Sequence, residues 1–172
     1  MKRINSLGRF TEKTVSARAE RTGRHLKRHG LMVATAESCT GGWIAKMFTD
    51  IAGSSDWFAA GAVTYSNNSK TDLLGVPART LERFGAVSEQ TAIAMAIGAL
   101  RRLRVDVAVS ATGVAGPGGG SLEKPVGTVW LAWASRVQGR VQVNARLYRF
   151  RGGRNLVRLQ AVSAALQGLI RL

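Results

Sequence analysis

A serine, a cysteine, a tyrosine and a lysine stand where short apolar runs give way to polar and glycine residues. Ser38 and Cys39 follow the apolar run 31–36 and precede Thr40-Gly41-Gly42. A nucleophile at such a strand-to-helix turn has the unpaired N–H groups of the helix start beside it as an oxyanion hole. Ser38 is either that nucleophile or a helix cap. Cys39 is its rival, because a helix N-terminus lowers a thiol's pKa, or else it is a small buried residue. The two histidines, His25 and His29, fall together in an N-terminal segment away from these turns, which argues against a Cys–His pair. Ser38 then needs another base. Lys70 is the candidate, with Tyr65 beside it; otherwise Lys70 is a surface lysine. Acting as a base near neutrality requires lowering its pKa by about 3 units from roughly 10.4, or about 4 kcal/mol, which burial and helix N-termini could supply. The glycine-rich run 113–120 either cradles a phosphate through backbone N–H groups or simply turns the chain. Arg154, at the start of the last helical segment, suits a phosphate or carboxylate.

Periodicity identifies the elements that must position these residues. A helix is expected over 11–29, ending at Gly30, followed by a buried strand at 31–36. Thr40-Gly41-Gly42 then opens a helix whose apolar residues Trp43, Ile44, Met47, Phe48 and Ile51 recur at helical spacing, with Gly53 closing it. Residues 58–65 read as a strand and 66–75 as a short helix. Ser88 caps an Ala-rich helix running to about Leu103. Residues 105–112 are a third strand, 128–135 and 141–150 a hairpin about a turn at 136–140, and 155–170 a final helix. This order predicts an α/β fold: a three-layer α/β/α sandwich with a mixed, mostly parallel five-stranded sheet. In such sheets ligands sit beyond the carboxyl ends of the parallel strands. Ser38, Tyr65 with Lys70, Thr112 with the glycine loop, and Arg151 with Arg154 all fall on that one edge, a coincidence that core periodicity does not explain.

The chain has 172 residues, of which 45% are hydrophobic, enough for one domain with a core of its own. Residues 1–10 read as a basic, disordered lead-in and 11–172 as the domain. One cysteine excludes an intramolecular disulfide and any multi-cysteine zinc site. No apolar run is long enough for a membrane span, so a soluble, cytoplasmic protein is expected. Lys plus Arg total 25 against 10 for Asp plus Glu, and no acid follows Glu123. Such a surface attracts polyanions and steers small anions without naming either.

The segments TAESCTGGWIAKMFTDIAGSS (35–55), VTYSNNSK (63–70), LLGV (73–76), GAVSEQTAIAMAIGAL (85–100) and SATGVAGPGGGSLEKPVGTVW (110–130) resemble, in order, the CinA C-terminal domain family of competence/damage-inducible proteins. The resemblance covers about residues 30–165 and is to the standalone form. It implies an anticodon-binding-domain-like fold and the hydrolysis of nicotinamide mononucleotide to nicotinate mononucleotide and ammonia, in NAD recycling. No metal or cofactor is implied, and a homo-oligomer is. Carried over by motif, Ser38 is the nucleophile, and Tyr65 and Lys70 transfer protons. Backbone N–H groups near Thr40 and Gly41 hold the oxyanion. Thr112 contacts substrate, while Gly116, Gly118, Gly119 and Arg154 receive the phosphate, with Arg151 the alternative to Arg154. Two other readings compete: an amidase acting on another small amide, and a basic nucleic-acid-binding accessory module. The second is disfavoured because Trp130 and Trp133 fall in a core strand rather than among surface cations.

Overall fold

The computed structural model describes residues 10–172. In chain order its elements are α1 (Glu12–Arg28), β1 (Val33–Glu37), α2 (Trp43–Thr49), β2 (Phe58–Val63), α3 (Asn67–Leu74), α4 (Ala78–Phe84), α5 (Glu89–Arg102), β3 (Val107–Gly113), β4 (Thr128–Val137), β5 (Arg140–Arg149) and α6 (Arg154–Leu169). The expected lead-in at 1–10 lies outside the described residues except for Phe10, which is half-buried against the core. One helix was not expected. α4 follows Pro77 and buries only Leu81, too little apolar surface to show a period.

The sheet runs β2-β1-β3-β4-β5. β1 pairs in parallel with β2 and β3, whereas β4 is antiparallel to both β3 and β5. β5 therefore points the same way as the first three strands. The expected mixed, mostly parallel sheet is what forms. Its hairpin turn is tighter than expected, with Gln138 and Gly139 alone between the strands and both at positive φ (50° and 76°). Two left-handed residues in a row match the twist of the flanking strands. Glutamine is an unusual choice there and gives no turn signal.

Side-chain alternation divides the core between two layers. Val33, Val107, Val109, Val129, Leu131 and Trp133 face α1, α2 and α6. Ala34, Ala36, Ala108, Ala132 and Ala134 face α3, α4 and α5. The second layer is built from alanines on both sides, so α5 lies close to the sheet. α1 starts at Thr11, whose hydroxyl accepts from the Thr14 N–H at 3.2 Å. Its Gly23 is a packing residue: a Cβ there would lie 2.6 Å from the Trp57 ring. Both helical layers thus leave the carboxyl ends of β1, β2 and β3 open at one edge.

Candidate active site

β1 is buried at every position and delivers Ser38 to that edge, where the Ser38 N–H donates to the Ala111 carbonyl of β3 at 2.9 Å. The chain then reverses through Gly41 (φ 62°) and Gly42 (φ 87°), left-handed conformations that suit glycine. Gly42 is the N-cap of α2 and has no side chain to cap it. Glu37 supplies the cap instead: its fully buried carboxylate accepts from the N–H groups of Ile44 (2.9 Å) and Ala45 (2.8 Å). The helix start offsets the cost of burying this anion. Ser38 is accordingly not the helix cap, and its hydroxyl is left for another partner.

That partner is Lys70. Its Nζ lies 3.2 Å from Ser38 Oγ, and the residue is 1% exposed. α3 positions it: Ser66 caps the helix by accepting the Ser69 N–H at 3.1 Å, which aims Lys70 back along the turn. The amine also donates to the carbonyls of Thr64 (2.8 Å), Tyr65 (3.3 Å) and Ser66 (3.4 Å). It forms no ion pair with a carboxylate among the described residues. Burial pushes its pKa below the usual lysine range. Cys39 fares the other way. Burial pushes its thiol up to about 12, so this rival nucleophile stays protonated.

A cavity of about 200 Å³ opens above the pair, lined among others by Ser38, Tyr65, Lys70, Thr112 and Arg154. Thr112 is buried and donates to the Ala86 carbonyl at 2.7 Å, tying β3 to the segment before α5. Arg154 opens α6, donating through Nη1 to the Gly116 carbonyl (2.7 Å) and through Nη2 to the Tyr65 hydroxyl (3.3 Å). Tyr65 is 65% exposed and stands at the rim with its hydroxyl on Arg154, so the lysine reaches the serine directly rather than through the phenol. Arg151 is exposed and does not line the cavity.

Of the expected contributors, Thr40, Gly41, Gly116, Gly118 and Gly119 lie outside the cavity lining. Gly118 and Gly119 lie in the exposed part of the loop, outside the cavity lining, because only its first residues follow β3 into the site. The Gly41 N–H is already committed to the Ser38 carbonyl at 3.0 Å, and Gly41 lines a separate groove beside Trp43 and Arg158. The N–H groups of Cys39, Thr40 and Gly42 have no oxygen partner among the described residues, and of these three residues Cys39 lines the cavity. Thr40 itself is fully buried. Two residues escaped the sequence reading: Glu37, and Arg158, whose Nη2 donates to the Thr40 carbonyl at 2.8 Å. Among the described residues no group of three or more His, Cys, Asp or Glu side chains converges, and no helix is long and apolar enough to cross a membrane.

A family model, the CinA C-terminal domain, matches residues 15–172. The chain belongs to that family. Its CinA fold is similar to the crystal structure of the competence/damage inducible protein CihA from Agrobacterium tumefaciens, with a TM-score of 0.86, 51% identity and coverage of 91% of this chain and 94% of that one. Among curated relatives, the nicotinamide-nucleotide amidohydrolase PncC of Escherichia coli (strain K12) is 53% identical over 160 residues, 93% of this chain and 95% of its own. The PncC protein of Pseudomonas putida is 51% identical over 158 residues, 92% of this chain and 96% of its own. In this CinA domain the serine, lysine and arginine singled out by motif therefore meet in one cavity.

Proposed function

We propose that this protein is a nicotinamide-nucleotide amidase that hydrolyses the carboxamide of nicotinamide mononucleotide, giving nicotinate mononucleotide and ammonia. The observation that carries this reading is the buried Lys70 amine 3.2 Å from Ser38 Oγ at the floor of a cavity. The likeness to the PncC amidohydrolases over nearly the whole of both chains supports the substrate.

Neutral Lys70 accepts the Ser38 proton as Oγ attacks the amide carbon. The electron pair of the C=O bond moves to oxygen, and the N–H of Cys39, a residue of the cavity lining, holds the resulting oxyanion. The Lys70 ammonium returns its proton to the amide nitrogen, the C–N bond breaks, and ammonia leaves. Water, deprotonated by the same lysine, then cleaves the acyl-Ser38 ester and restores the hydroxyl. The cavity of about 200 Å³ takes the planar carboxamide ring but not a whole nucleotide. The ribose and phosphate extend past the rim, where Tyr65 and Arg154 meet them, near Gly116. The reaction returns a product of NAD breakdown to a usable precursor in the cytoplasm, and the enzyme works as a homo-oligomer.

The two tryptophans of β4 do not serve the nucleic-acid reading: Trp133 is 5% exposed and Trp130 packs against the α5 layer. The test is ammonia release from nicotinamide mononucleotide by purified protein without added metal, beside Ser38→Ala and a panel of other small amides. Release lost in the variant, and absent from amides that lack the nicotinamide riboside unit, is expected. A folded wild-type protein that releases none overturns the reading.

A further inference from the structure

The nucleophile turn is held from outside by an arginine that touches neither the cavity nor its contents. Arg158 lies one helical turn after Arg154 on α6. Its Nη2 donates to the Thr40 carbonyl at 2.8 Å, and its guanidinium sits over the Trp43 ring, 5.0 Å from the centroid. A Cβ on Gly41 would lie 3.3 Å from the same Nη2, so the arginine packs flush against the turn. Its Nε is buried and has no partner among the described residues. Among the described residues its guanidinium is bound through Nη2, to the backbone beside the nucleophile.

The peptide planes of that backbone form a continuous chain. The Thr40 carbonyl that Arg158 binds belongs to the same planar unit as the Gly41 N–H. That N–H donates to the Ser38 carbonyl at 3.0 Å. The Ser38 carbonyl in turn shares its plane with the Cys39 N–H, which faces its own thiol and has no oxygen partner among the described residues. Hydrogen bonds in series polarise one another, and a charged donor at the head of the series is the strongest driver.

We infer that Arg158 is a positioning residue for the amidase reaction: through the Thr40–Gly41 and Ser38–Cys39 peptide planes it orients and polarises the Cys39 N–H toward the oxyanion. This rests on the function proposed above. Arg154 and Arg158 then divide the labour of α6, the first meeting the substrate at the cavity rim and the second preparing the group that receives negative charge inside it. Because the oxyanion exists only after attack, Arg158 acts on kcat and not on substrate binding.

The test measures steady-state ammonia release by the full chain carrying Arg158→Gln or Arg158→Lys. Rates are expressed per site able to bind nicotinate mononucleotide in calorimetry, which removes any misfolded fraction. Deleting a direct oxyanion donor costs about 10²–10³-fold in kcat, so a group acting through two peptide planes is expected to cost roughly tenfold. Arg158→Gln should show that loss with KM within about twofold and with an unchanged pH midpoint, since Lys70 is untouched. Arg158→Lys, which keeps the charge and serves if the glutamine variant does not fold, should recover part of it. A kcat per site equal to wild type, or a loss confined to KM, overturns the inference. Failure of the wild-type protein to release ammonia would instead overturn the functional reading on which it rests.

Discussion

α6 has a cavity at its start and another along its length, and they differ in kind. The first, of about 200 Å³, holds Ser38 and Lys70, both buried and in contact. The second, of about 400 Å³, lies between α6, α1 and β5, with Arg18, Arg146 and Arg171 around Trp133, Tyr148 and Phe150. There the Trp133 Nε1 is committed to the Ala165 carbonyl (2.9 Å), Arg18 reaches the Ser163 carbonyl (3.3 Å) and Arg146 rests on the Tyr148 ring. The larger groove holds cations and aromatic rings but, among the described residues, no nucleophile beside a base. The proposed function accordingly places the chemistry at the buried, perturbed polar pair and not at the larger volume.

The sharpest way to break this contrast is to remove the serine. Ser38→Ala is expected to lower kcat by at least about 10³-fold, measured by ammonia release. Arginine substitutions in the larger groove should leave the rate near wild type. Full activity in the serine variant would move the chemistry elsewhere.

Lys70 gives the next largest effect and a pH signature. The base must be neutral, so activity should fall as pH drops through the lowered Lys70 pKa and rise above it. Lys70→Met is expected to cost about 10²–10⁴-fold, and Lys70→Arg to be inactive at every pH because a guanidinium keeps its proton. Stability carries the same sign. Between the lowered folded value and the ordinary 10.5, the unfolded chain binds a proton that the native state has released, so stability rises with pH across that window. Lys70→Met should flatten that slope in denaturant titrations run at several pH values. A slope that survives would assign the titration to another group.

Much of this arrangement could be read from the sequence because it depends on element order. Ser38 follows a buried run, Lys70 falls in the first turns of the helix after the next strand, and Thr112 ends the third. Parallel strands must then gather them at one edge. What escaped depends on contacts that local pattern does not encode. Glu37 falls just past the strand expected at 31–36, and its partners are the Ile44 and Ala45 N–H groups across a double-glycine turn. Arg158 is one of nine cations after Glu123, and nothing near it in sequence points to Thr40. α4 is too short, and the Gln138-Gly139 turn too atypical, to leave a signal.

A smaller effect is expected at the rim. Arg154 is exposed, so its contribution to holding the substrate phosphate is screened by solvent. Arg154→Ala should raise KM for nicotinamide mononucleotide about tenfold or less and leave kcat near wild type. Its effect should shrink with the riboside, which lacks the phosphate. An equal loss with both substrates would place Arg154 on the ring or the carbonyl instead.

The larger groove supplies the last comparison, because it should affect stability without affecting rate. A Cβ on Gly168 would lie 2.1 Å from the buried Trp133 ring, and neither α6 nor β4 can yield that distance locally. Gly168→Ala is therefore expected to lower stability by about 1–3 kcal/mol, the usual cost of overpacking, read from denaturant midpoints. Arg171→Ala, on an exposed cation with no ion-pair partner among the described residues, should change stability by less than about 0.5 kcal/mol. At a temperature where both variants are folded, their kcat and KM should match wild type, since neither residue touches the cavity at the strand ends. A kcat loss in Arg171→Ala would mean that the two cavities communicate through α6, the helix that lines both.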